Sequence, residues 1–230
     1  NTEKTNLKKN IELVDIIFSF KKDITSELNI KKLIISKNKI TGLFGDSGAG
    51  KSTIINILLG LIKPEKGKIL IDGNEINNFE KFRNNLGYVP QDVYLLNDTV
   101  KANVAFGIDN DLIDMERVIE CCKIANIDNF IDNLEYKYDS QIGERGLNIS
   151  GGEKQRLGIA RALYHDPEIL ILDESTSALD EITELNILDD LNQLKNKKTI
   201  IIITHKKMIM KKYCENVYRV EGGQVTILND

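Results

Sequence analysis

The apolar positions of this chain follow one pattern before Ile40 and a different one after it. In the first part, short apolar stretches lie between polar ones and predict strands at 11–20, 28–30 and 33–35. Polar residues, such as those at 21–23, predict turns between these strands. We therefore expect an antiparallel β-layer at the N-terminal end of the chain.

Continuous aliphatic runs after Ile40 predict strands that are buried on both faces. The runs cover 40–44, 169–172 and 200–203, and each ends directly before glycine or polar residues. Uninterrupted aliphatic strands are typical of a parallel sheet covered by helices, and ligands bind beyond the carboxyl ends of its strands. We therefore expect the residues that follow these runs to converge on one site: Gly45, Asp173, Glu174 and His205.

The strand pattern stops between about 92 and 166, and helical spacing replaces it. Apolar residues recur at helical intervals in 115–126 and 152–164. We expect a helical insertion within the α/β core. Near the end of the chain, Gly222 and Gly223 lie between alternating residues and predict a β-hairpin.

The composition is that of a globular protein without a nucleic-acid footprint. The chain has 230 residues, 41% hydrophobic and 29% charged, and its net charge is −4. A nucleic-acid binder usually shows a basic surface, so the acidic balance disfavours that class. Its 3 cysteines have no zinc-binding spacing and indicate reduced thiols in a cytoplasm. No apolar run approaches the roughly 18 residues of a membrane-spanning helix.

The strongest chemical signal is the glycine-rich segment at 45–53, which lies between a predicted strand and a helical pattern. Strand, glycine loop with Lys-Ser and then helix is the context of a phosphate-binding P-loop. Glycines let successive N–H groups wrap the phosphates, and the helix N-terminus adds its positive end. In this motif Lys51 reaches the β- and γ-phosphates, and the Ser52 hydroxyl binds Mg²⁺.

Two further segments predict chemistry. Asp173 and Glu174 end an apolar strand, where the first is placed to hold Mg²⁺ through water and the second to act as a general base. A second anion-binding helix N-terminus is predicted where Ser150, Gly151 and Gly152 precede a helical pattern. A single chain needs only one triphosphate cradle, so this second helix N-terminus would serve a nucleotide bound by another copy of the chain. The alternatives are a solvent-facing acidic strand end and an ordinary helix cap.

The order of these segments resembles that of ABC transporter ATPase domains. The segments that carry the resemblance are the P-loop, Gln91 within 89–92, 150–153, 169–174, 177–180 and His205. The likeness extends from about Ile11 to Leu228. It implies a P-loop NTPase (RecA-like) α/β core with a parallel sheet, an N-terminal antiparallel β-layer and an inserted helical subdomain. We therefore expect one domain over 1–230, in which 1–91 and 167–230 form the core and 92–166 the helical subdomain.

The resemblance also implies roles for individual residues, with ATP and Mg²⁺ as cofactors. Phe20 would stack on the adenine ring, although its neighbour Phe18 competes for that role. Gln91 would contact Mg²⁺ and the attacking water, and His205 the γ-phosphate. Ser150 and Gly152 would bind the γ-phosphate of a second copy's nucleotide, and Asp180 would link the two sites.

The complete set of expected site residues is as follows. The nucleotide would be bound by Phe20, Gly45, Asp46, Ser47, Gly48, Ala49, Gly50, Lys51, Ser52, Thr53, Gln91, Ser150, Gly151, Gly152, Glu153, Asp180 and His205. The expected catalytic residues are Glu174, His205, Gln91 and Lys51, and the expected metal ligands are Ser52, Gln91 and Asp173. Ile149, Glu153 and Ser175 depart from the usual family residues, and none of these changes removes a required donor, acceptor or base.

Two stretches resemble the exporter branch of the family, namely 94–107 and 142–146. The nearest likeness is to bacterial half-transporters that flip lipids or lipid-linked oligosaccharides. This implies a transmembrane domain in the same polypeptide, from which the present chain is a piece, and a location at the cytoplasmic face of the cell membrane. It also implies pairing with a second ATPase domain, for which we expect a homodimer, with a heterodimer as the alternative.

Other classes remain as rival interpretations of the sequence. An ABC-type ATPase that acts on DNA or ribosomes would usually show coiled-coil insertions, a second fused ATPase domain or a basic surface. A binding module without turnover would have lost residues such as Lys51 and Glu174, which are present here. An importer ATPase would assemble with a separate membrane subunit.

Overall fold

A computed structural model describes residues 6–19, 27–76, 78–143, 149–176 and 179–228 of the chain. Some of the predictions lie outside these residues. They are the adenine-stacking role of Phe20, the part of the exporter-like stretch at 144–146, and residues 177–178 of the segment that ends at Asp180.

The described residues form both strands and helices. The strands are β1 (Asn10–Ser19), β2 (Glu27–Ser36), β3 (Ile40–Phe44), β4 (Lys66–Ile71), β5 (Asn74–Glu75), β6 (Leu86–Val89), β7 (Asp98–Thr99), β8 (Gln141–Ile142), β9 (Ile169–Asp173), β10 (Thr199–Thr204), β11 (Asn216–Glu221) and β12 (Gln224–Leu228). The α-helices are α1 (Lys51–Leu58), α2 (Phe79–Arg83), α3 (Val100–Val104), α4 (Met115–Ile124), α5 (Asp128–Asp132), α6 (Gly151–Tyr164), α7 (Glu181–Gln193) and α8 (Lys207–Tyr213). Short 3₁₀ turns lie at Asn110–Leu112 and Lys137–Asp139.

The chain divides into two compact units. The first unit combines Asn1–Leu86 with Lys195–Asp230, and the second unit is Gly87–Leu194. Helices α3 to α6 belong to the second unit together with β9 and α7. The separate helical subdomain over 92–166 therefore stays a prediction.

The N-terminal part of the first unit is an antiparallel layer, as the sequence predicted. Strand β1 pairs antiparallel with β2 and with β4, and β4 pairs antiparallel with β5. Strand β2 is continuous, whereas the sequence predicted two short strands at 28–30 and 33–35. Lys31 and Lys32 stay in the strand with exposed side chains, and Lys32 forms an ion pair of 2.8 Å with Glu12 on β1. Adjacent residues of a strand point to opposite faces, and across these lysines the buried positions change from Leu28 and Ile30 to Leu33 and Ile35. The pairing with β1 keeps one register on both sides of this change, so the strand continues although its apolar pattern is interrupted.

The rest of the first unit contains the parallel strands. Strand β3 pairs parallel with β10 on one side and with β11 on the other. All residues of β10 are buried, as are Ile40 to Leu43 of β3, so these aliphatic runs are strands covered on both faces. The predicted hairpin joins β11 to β12 through Gly222 and Gly223, whose φ angles are 53° and 75°. Two successive positive φ angles are the requirement of a type I′ turn.

The second unit has its own apolar core, formed mainly by helices. The predicted helices at 115–126 and 152–164 are present as α4 and α6, and these two helices pack against each other. Cys121 and Cys122 on α4 are buried in this core, and burial raises the pKa of the Cys122 thiol to about 12. At neutral pH this cysteine behaves as a small apolar side chain.

A buried asparagine holds the start of the exporter-like stretch 94–107. The Asn103 side chain is hydrogen-bonded to both the N–H and the carbonyl of Leu96, and it also donates to the Thr99 carbonyl. Arg161 on α6 donates to the Asn103 carbonyl and to the Tyr94 carbonyl. These bonds fix the backbone of the stretch against α6. In the portion of the chain that the structure covers, no helix is long and apolar enough to cross a membrane.

Candidate functional site

The glycine-rich loop at 45–53 has the backbone that a phosphate cradle requires. Gly48 and Gly50 adopt positive φ angles of 78° and 108°, which glycine reaches without steric cost. Gly50 is also the residue that caps α1, and as a glycine it brings no side-chain oxygen to the first N–H groups of the helix. The N-terminus of α1 is therefore suited to an external anion.

The Lys51 ammonium lies inside this loop. Lys51 is only 5% exposed, and its Nζ donates to the carbonyl oxygens of Gly45 and Asp46, both at 2.8 Å. Ser52 is exposed and Thr53 half-buried in the first turn of α1. A positive charge, a helix N-terminus and a hydroxyl group thus occur within one short segment. The residues present fit a bound triphosphate.

Strand register brings His205 to the same edge of the sheet as the loop. Strands β3 and β10 are parallel neighbours, and Thr204 at the end of β10 is paired with Phe44 at the end of β3. The next residues along the two strands are His205 and Gly45. Gly45 and His205 therefore follow adjacent strand ends within the first unit. The convergence of these two residues with Asp173 and Glu174 on one site stays a prediction. His205 is exposed to solvent.

The end of β9 carries the acidic pair. Asp173 is the last residue of the strand and is 6% exposed, whereas Glu174 directly beyond it is half-buried. Glu174 has a φ angle of 47°, which is uncommon for a residue with a side chain. Such conformations cost about 1 to 3 kcal/mol and cluster at active sites. The carboxylate of Glu174 therefore projects from a strained turn at the carboxyl end of a buried strand.

A tyrosine contacts this acidic pair. The Tyr88 hydroxyl on β6 donates to Oδ2 of Asp173 at 3.2 Å. Burial is the largest cause that raises the pKa of Tyr88, and the Asp173 charge and this hydrogen bond raise it further. The Tyr88 hydroxyl therefore remains protonated, and a donor, across the physiological pH range.

The Ser-Gly-Gly segment forms the N-terminus of α6. The Ser150 side chain accepts from the Glu153 N–H, and the Glu153 carboxylate accepts from the Ser150 N–H at 2.7 Å. The same carboxylate accepts from the Ser150 hydroxyl at 2.7 Å. This reciprocal pair is a capping box, and it explains why the helix begins here. Gly151 is exposed and Gly152 half-buried in the first turn.

Gln91 and Asp180 also lie in the second unit. Gln91 is exposed, and its carbonyl accepts from Nε2 of Gln155 on α6 at 3.4 Å. This bond links the segment after β6 to α6, which we call the signature helix because it begins with the signature segment 150–153. Asp180 caps α7, because its Oδ1 accepts from the Thr183 N–H at 3.0 Å. The hydrogen bonds of Thr183 hold the pKa of Asp180 below its usual range. Asp180 thus has a local structural role apart from the one that the family resemblance implies.

Sequence reasoning missed Tyr88 and Gln155. Alternation along β6 buries Gly87 and Val89 and places Tyr88 on the other face. That alternation was visible in the sequence, but the neighbour of β6 in the sheet was not. Gln155 lies in the signature helix, and its contact with Gln91 depends on how α6 packs.

The family model described as ABC transporter matches residues 28–177 of this chain. That match spans more than half of the 230 residues, so the chain belongs to the ABC transporter family. The resemblance inferred from the ordered motifs is therefore confirmed. The family is defined by an ATP-binding ATPase domain, and this chain is such a domain.

Individual relatives agree with the exporter branch. The chain is 40% identical over 222 residues to ABC transporter B family member 29, chloroplastic, of Arabidopsis thaliana, covering 95% of this chain and 35% of that protein. It is 37% identical over 213 residues to the ATP-dependent lipid A-core flippase of Idiomarina loihiensis, covering 92% of this chain and 36% of the flippase. The chain thus spans about a third of the length of these relatives.

A solved structure supports the same fold. The structure of a bacterial Atm1-family ABC exporter with ATP bound matches with a TM-score of 0.87 and 35% sequence identity. The match covers 98% of this chain and 39% of the exporter chain. The P-loop NTPase α/β fold that the resemblance implied is therefore confirmed.

Proposed function

We propose that this chain is the nucleotide-binding domain of an exporter and that Mg·ATP joins it head-to-tail to a second such domain. The observation that carries the proposal is the cradle at 45–53, where a buried Lys51 lies inside a glycine loop at the N-terminus of α1. The exporter relatives, about a third of whose length the chain covers, support a membrane-spanning part in the same polypeptide.

In this proposal residues of the first unit hold the phosphates of the nucleotide. Loop N–H groups and Lys51 hold the β- and γ-phosphates, and His205 contacts the γ-phosphate from the adjacent strand end. Mg²⁺ would be held by the Ser52 hydroxyl directly and by Asp173 through water, and Gln91 would contact it as well. Mg²⁺ is usually bound by one or two carboxylates together with phosphates rather than by a protein cage. When bound, it neutralises charge on the transferring phosphoryl group.

The Glu174 carboxylate is the proposed general base. It would accept a proton from the water that attacks the γ-phosphorus, and Gln91 would orient that water. As the new P–O bond forms, the bond from the γ-phosphorus to the bridging oxygen breaks, and ADP and inorganic phosphate are the products. The support for this role is its place directly after the buried Asp173 and its strained backbone, which is typical of active sites. Phe20 is proposed to stack on the adenine ring.

The second copy completes each site in this proposal. Ser150 and Gly152, with Gly151 and Glu153 beside them, contact the γ-phosphate bound by the partner, and Asp180 links the two sites. Closure of the pair then moves the attached membrane helices. Attachment to these helices would place the domain at the cytoplasmic face of the membrane. Tyr94 and Phe106 are 71% and 48% exposed on a backbone that Asn103 and Arg161 hold rigid. Such exposed aromatic side chains suit contact with another domain.

The substrate that we propose is a lipid or lipid-linked molecule. The support is the likeness to half-transporters of that kind and to a flippase in particular. Identical partners are the simplest arrangement, because one chain carries both the P-loop and the signature segment.

The test is the mass in solution of the Glu174→Gln chain with and without Mg·ATP. Removing the base should trap bound ATP, so we expect a shift from monomer to dimer on addition of Mg·ATP and monomer without it. The matched control is Glu135→Gln, which changes an exposed glutamate of the same unit. Its mass in solution, with and without Mg·ATP, should equal that of the wild-type chain. A Glu174→Gln chain that binds Mg·ATP but stays monomeric at high concentration would contradict self-pairing and point to a different partner chain.

A further inference from the structure

We propose that Tyr88 is a positioning residue that holds the Asp173 carboxylate in place for the divalent cation. This inference rests on the function proposed above, because it takes Asp173 as the residue that holds Mg²⁺ through water.

The backbone around Tyr88 is fixed. Strands β6 and β9 are hydrogen-bonded neighbours in their sheet, and β6 buries Gly87 and Val89 on one face. A side chain on Gly87 would lie 2.6 Å from the Ala162 carbonyl and 2.8 Å from Cγ of Pro167, so the strand lies tightly against its neighbours. The next residue, Tyr88, therefore projects from a rigid strand on the other face.

The Tyr88 side chain reaches the end of the neighbouring strand. It is 36% exposed, and its hydroxyl donates to Oδ2 of the nearly buried Asp173 at 3.2 Å. This distance is longer than the roughly 2.5 to 3.0 Å that is usual for an O–H···O bond. Hydrogen bonds of catalytic groups are often long without substrate and tighten in the substrate complex.

A carboxylate needs such a partner because its own torsion does not hold it. The terminal torsion of Asp is broad and roughly two-fold, unlike the staggered torsions of aliphatic side chains. A donor on one oxygen narrows that rotation. An ionised carboxylate has about four acceptor positions, so a bond from Tyr88 to Oδ2 is compatible with further bonds from the water of a cation. Tyr88 thus acts through Asp173 and does not itself touch the nucleotide in this proposal.

The test measures cation binding directly. Mn²⁺ replaces Mg²⁺, the β,γ-imido analogue of ATP replaces the nucleotide, and the protein is in excess so that nearly all nucleotide is bound. Free Mn²⁺ is then measured by electron paramagnetic resonance for the wild-type, Tyr88→Phe, Asp173→Asn and doubly substituted chains. Loss of residues that hold a metal's ligands typically costs roughly 10- to 100-fold in affinity. Because phosphates share this cation, we expect Tyr88→Phe to weaken Mn²⁺ binding by about 3- to 10-fold.

Further measurements separate positioning from a general loss of structure. Binding of the nucleotide analogue in the absence of divalent cation should be the same for wild-type and Tyr88→Phe. The matched control is Tyr136→Phe, which removes the hydroxyl of a tyrosine that is 65% exposed in the same unit. It should bind Mn²⁺ as the wild-type does. In the double variant the two losses should be less than additive, because both act through one carboxylate.

The outcomes distinguish this inference from the function on which it rests. If Asp173→Asn weakens Mn²⁺ binding and Tyr88→Phe leaves it equal or tighter, the positioning role is wrong and the proposed function stands. Fully additive losses, or an equal loss of cation-free nucleotide binding in Tyr88→Phe, would also overturn the positioning role. If Asp173→Asn has no effect on Mn²⁺ binding, the proposed metal role of Asp173 fails, and the role of Tyr88 fails with it.

Discussion

At the scale of single residues, Lys51 shows how this fold keeps a charge buried. Its ammonium group donates to the carbonyls of Gly45 and Asp46, and the residue is 5% exposed. Hydrogen bonds to a charged group are worth about 1.5 to 3 kcal/mol and offset part of the cost of leaving water. The charge therefore lies inside the loop in a fixed place, ready to meet an anion without rearrangement of a long side chain.

Glu174 carries a conformational cost that another residue would avoid. A side chain in the left-handed region costs roughly 1 to 2 kcal/mol, whereas glycine reaches that region freely. The cost is borne at the residue that we propose as the general base. The backbone conformation of Glu174 thus lowers the free energy of unfolding at a position where the carboxylate must be held at the end of β9.

We predict that Glu174→Gly is more stable than Glu174→Ala although neither hydrolyses ATP. Glycine relieves the strain at φ 47°, and its greater freedom in the unfolded chain offsets part of the gain. The difference should be about 0.5 to 1 kcal/mol in the free energy of unfolding by urea. Equal stability, or a more stable alanine variant, would show that the backbone at Glu174 is not strained. Near-normal turnover in either variant would exclude Glu174 as the base.

At the scale of elements, the P-loop depends on how closely β3 and β11 approach. These strands are parallel neighbours, and a side chain on Gly45 would place its Cβ 2.1 Å from the Val220 carbonyl. The first glycine of the loop is therefore required by packing within the first unit. This requirement is separate from the phosphate binding that the motif predicts.

We predict that Gly45→Ala lowers the free energy of unfolding by at least about 2 kcal/mol, because a backbone carbonyl cannot move aside as a side chain can. Urea denaturation measures the loss. Gly73→Ala is the control, since Gly73 has a φ of 83° but open space around it. It should lose about 1 kcal/mol or less, from backbone strain alone. The same small loss at both positions would contradict the close approach of β11.

The start of α6 serves both the local structure and the proposed site. Ser150 and Glu153 cap the helix reciprocally, and the Glu153 carboxylate accepts from the Ser150 hydroxyl. Replacing such a cap with alanine costs typically about 1 kcal/mol. A loss of stability at Ser150 is therefore expected whether or not the residue contacts a phosphate. Pairing of two copies is the measurement that separates these roles.

At the scale of the whole molecule, we predict that Ser150→Arg stops ATP-dependent pairing and leaves nucleotide binding by the monomer intact. The bulky side chain would occupy the contact with the partner's γ-phosphate, while the P-loop of the same chain is unchanged. Analytical ultracentrifugation in the Glu174→Gln background measures the pairing, and equilibrium titration of ATP measures the binding.

Ser150→Ala is the control for the lost helix cap in this experiment, because it removes the same cap without adding bulk. It should pair with ATP more readily than the arginine variant does. Pairing of Ser150→Arg at the wild-type ATP concentration would show that the signature segment does not face the nucleotide of a second copy.

Local patterns along the chain were enough for the P-loop, the buried strands 40–44 and 200–203, helices α4 and α6 and the Gly222-Gly223 hairpin. These features depend on neighbouring residues, through periodicity and the backbone freedom of glycine. The ordered motifs then indicated the family, which the comparisons confirmed. The pattern was wrong where it divided β2, because the pairing with β1 continues through two exposed lysines at which the buried positions of the strand change parity.

Tertiary structure alone decided which distant residues meet. The pairing of Tyr88 with Asp173, the link between Gln155 and Gln91, and the approach of Val220 to Gly45 join positions far apart in the chain. Their geometry depends on strand order and helix packing, which result from burying all the apolar faces together and are not encoded in any short segment. The sequence by itself thus determined which residues are available for the proposed chemistry. The tertiary structure decided which partners these residues contact and where the backbone is strained.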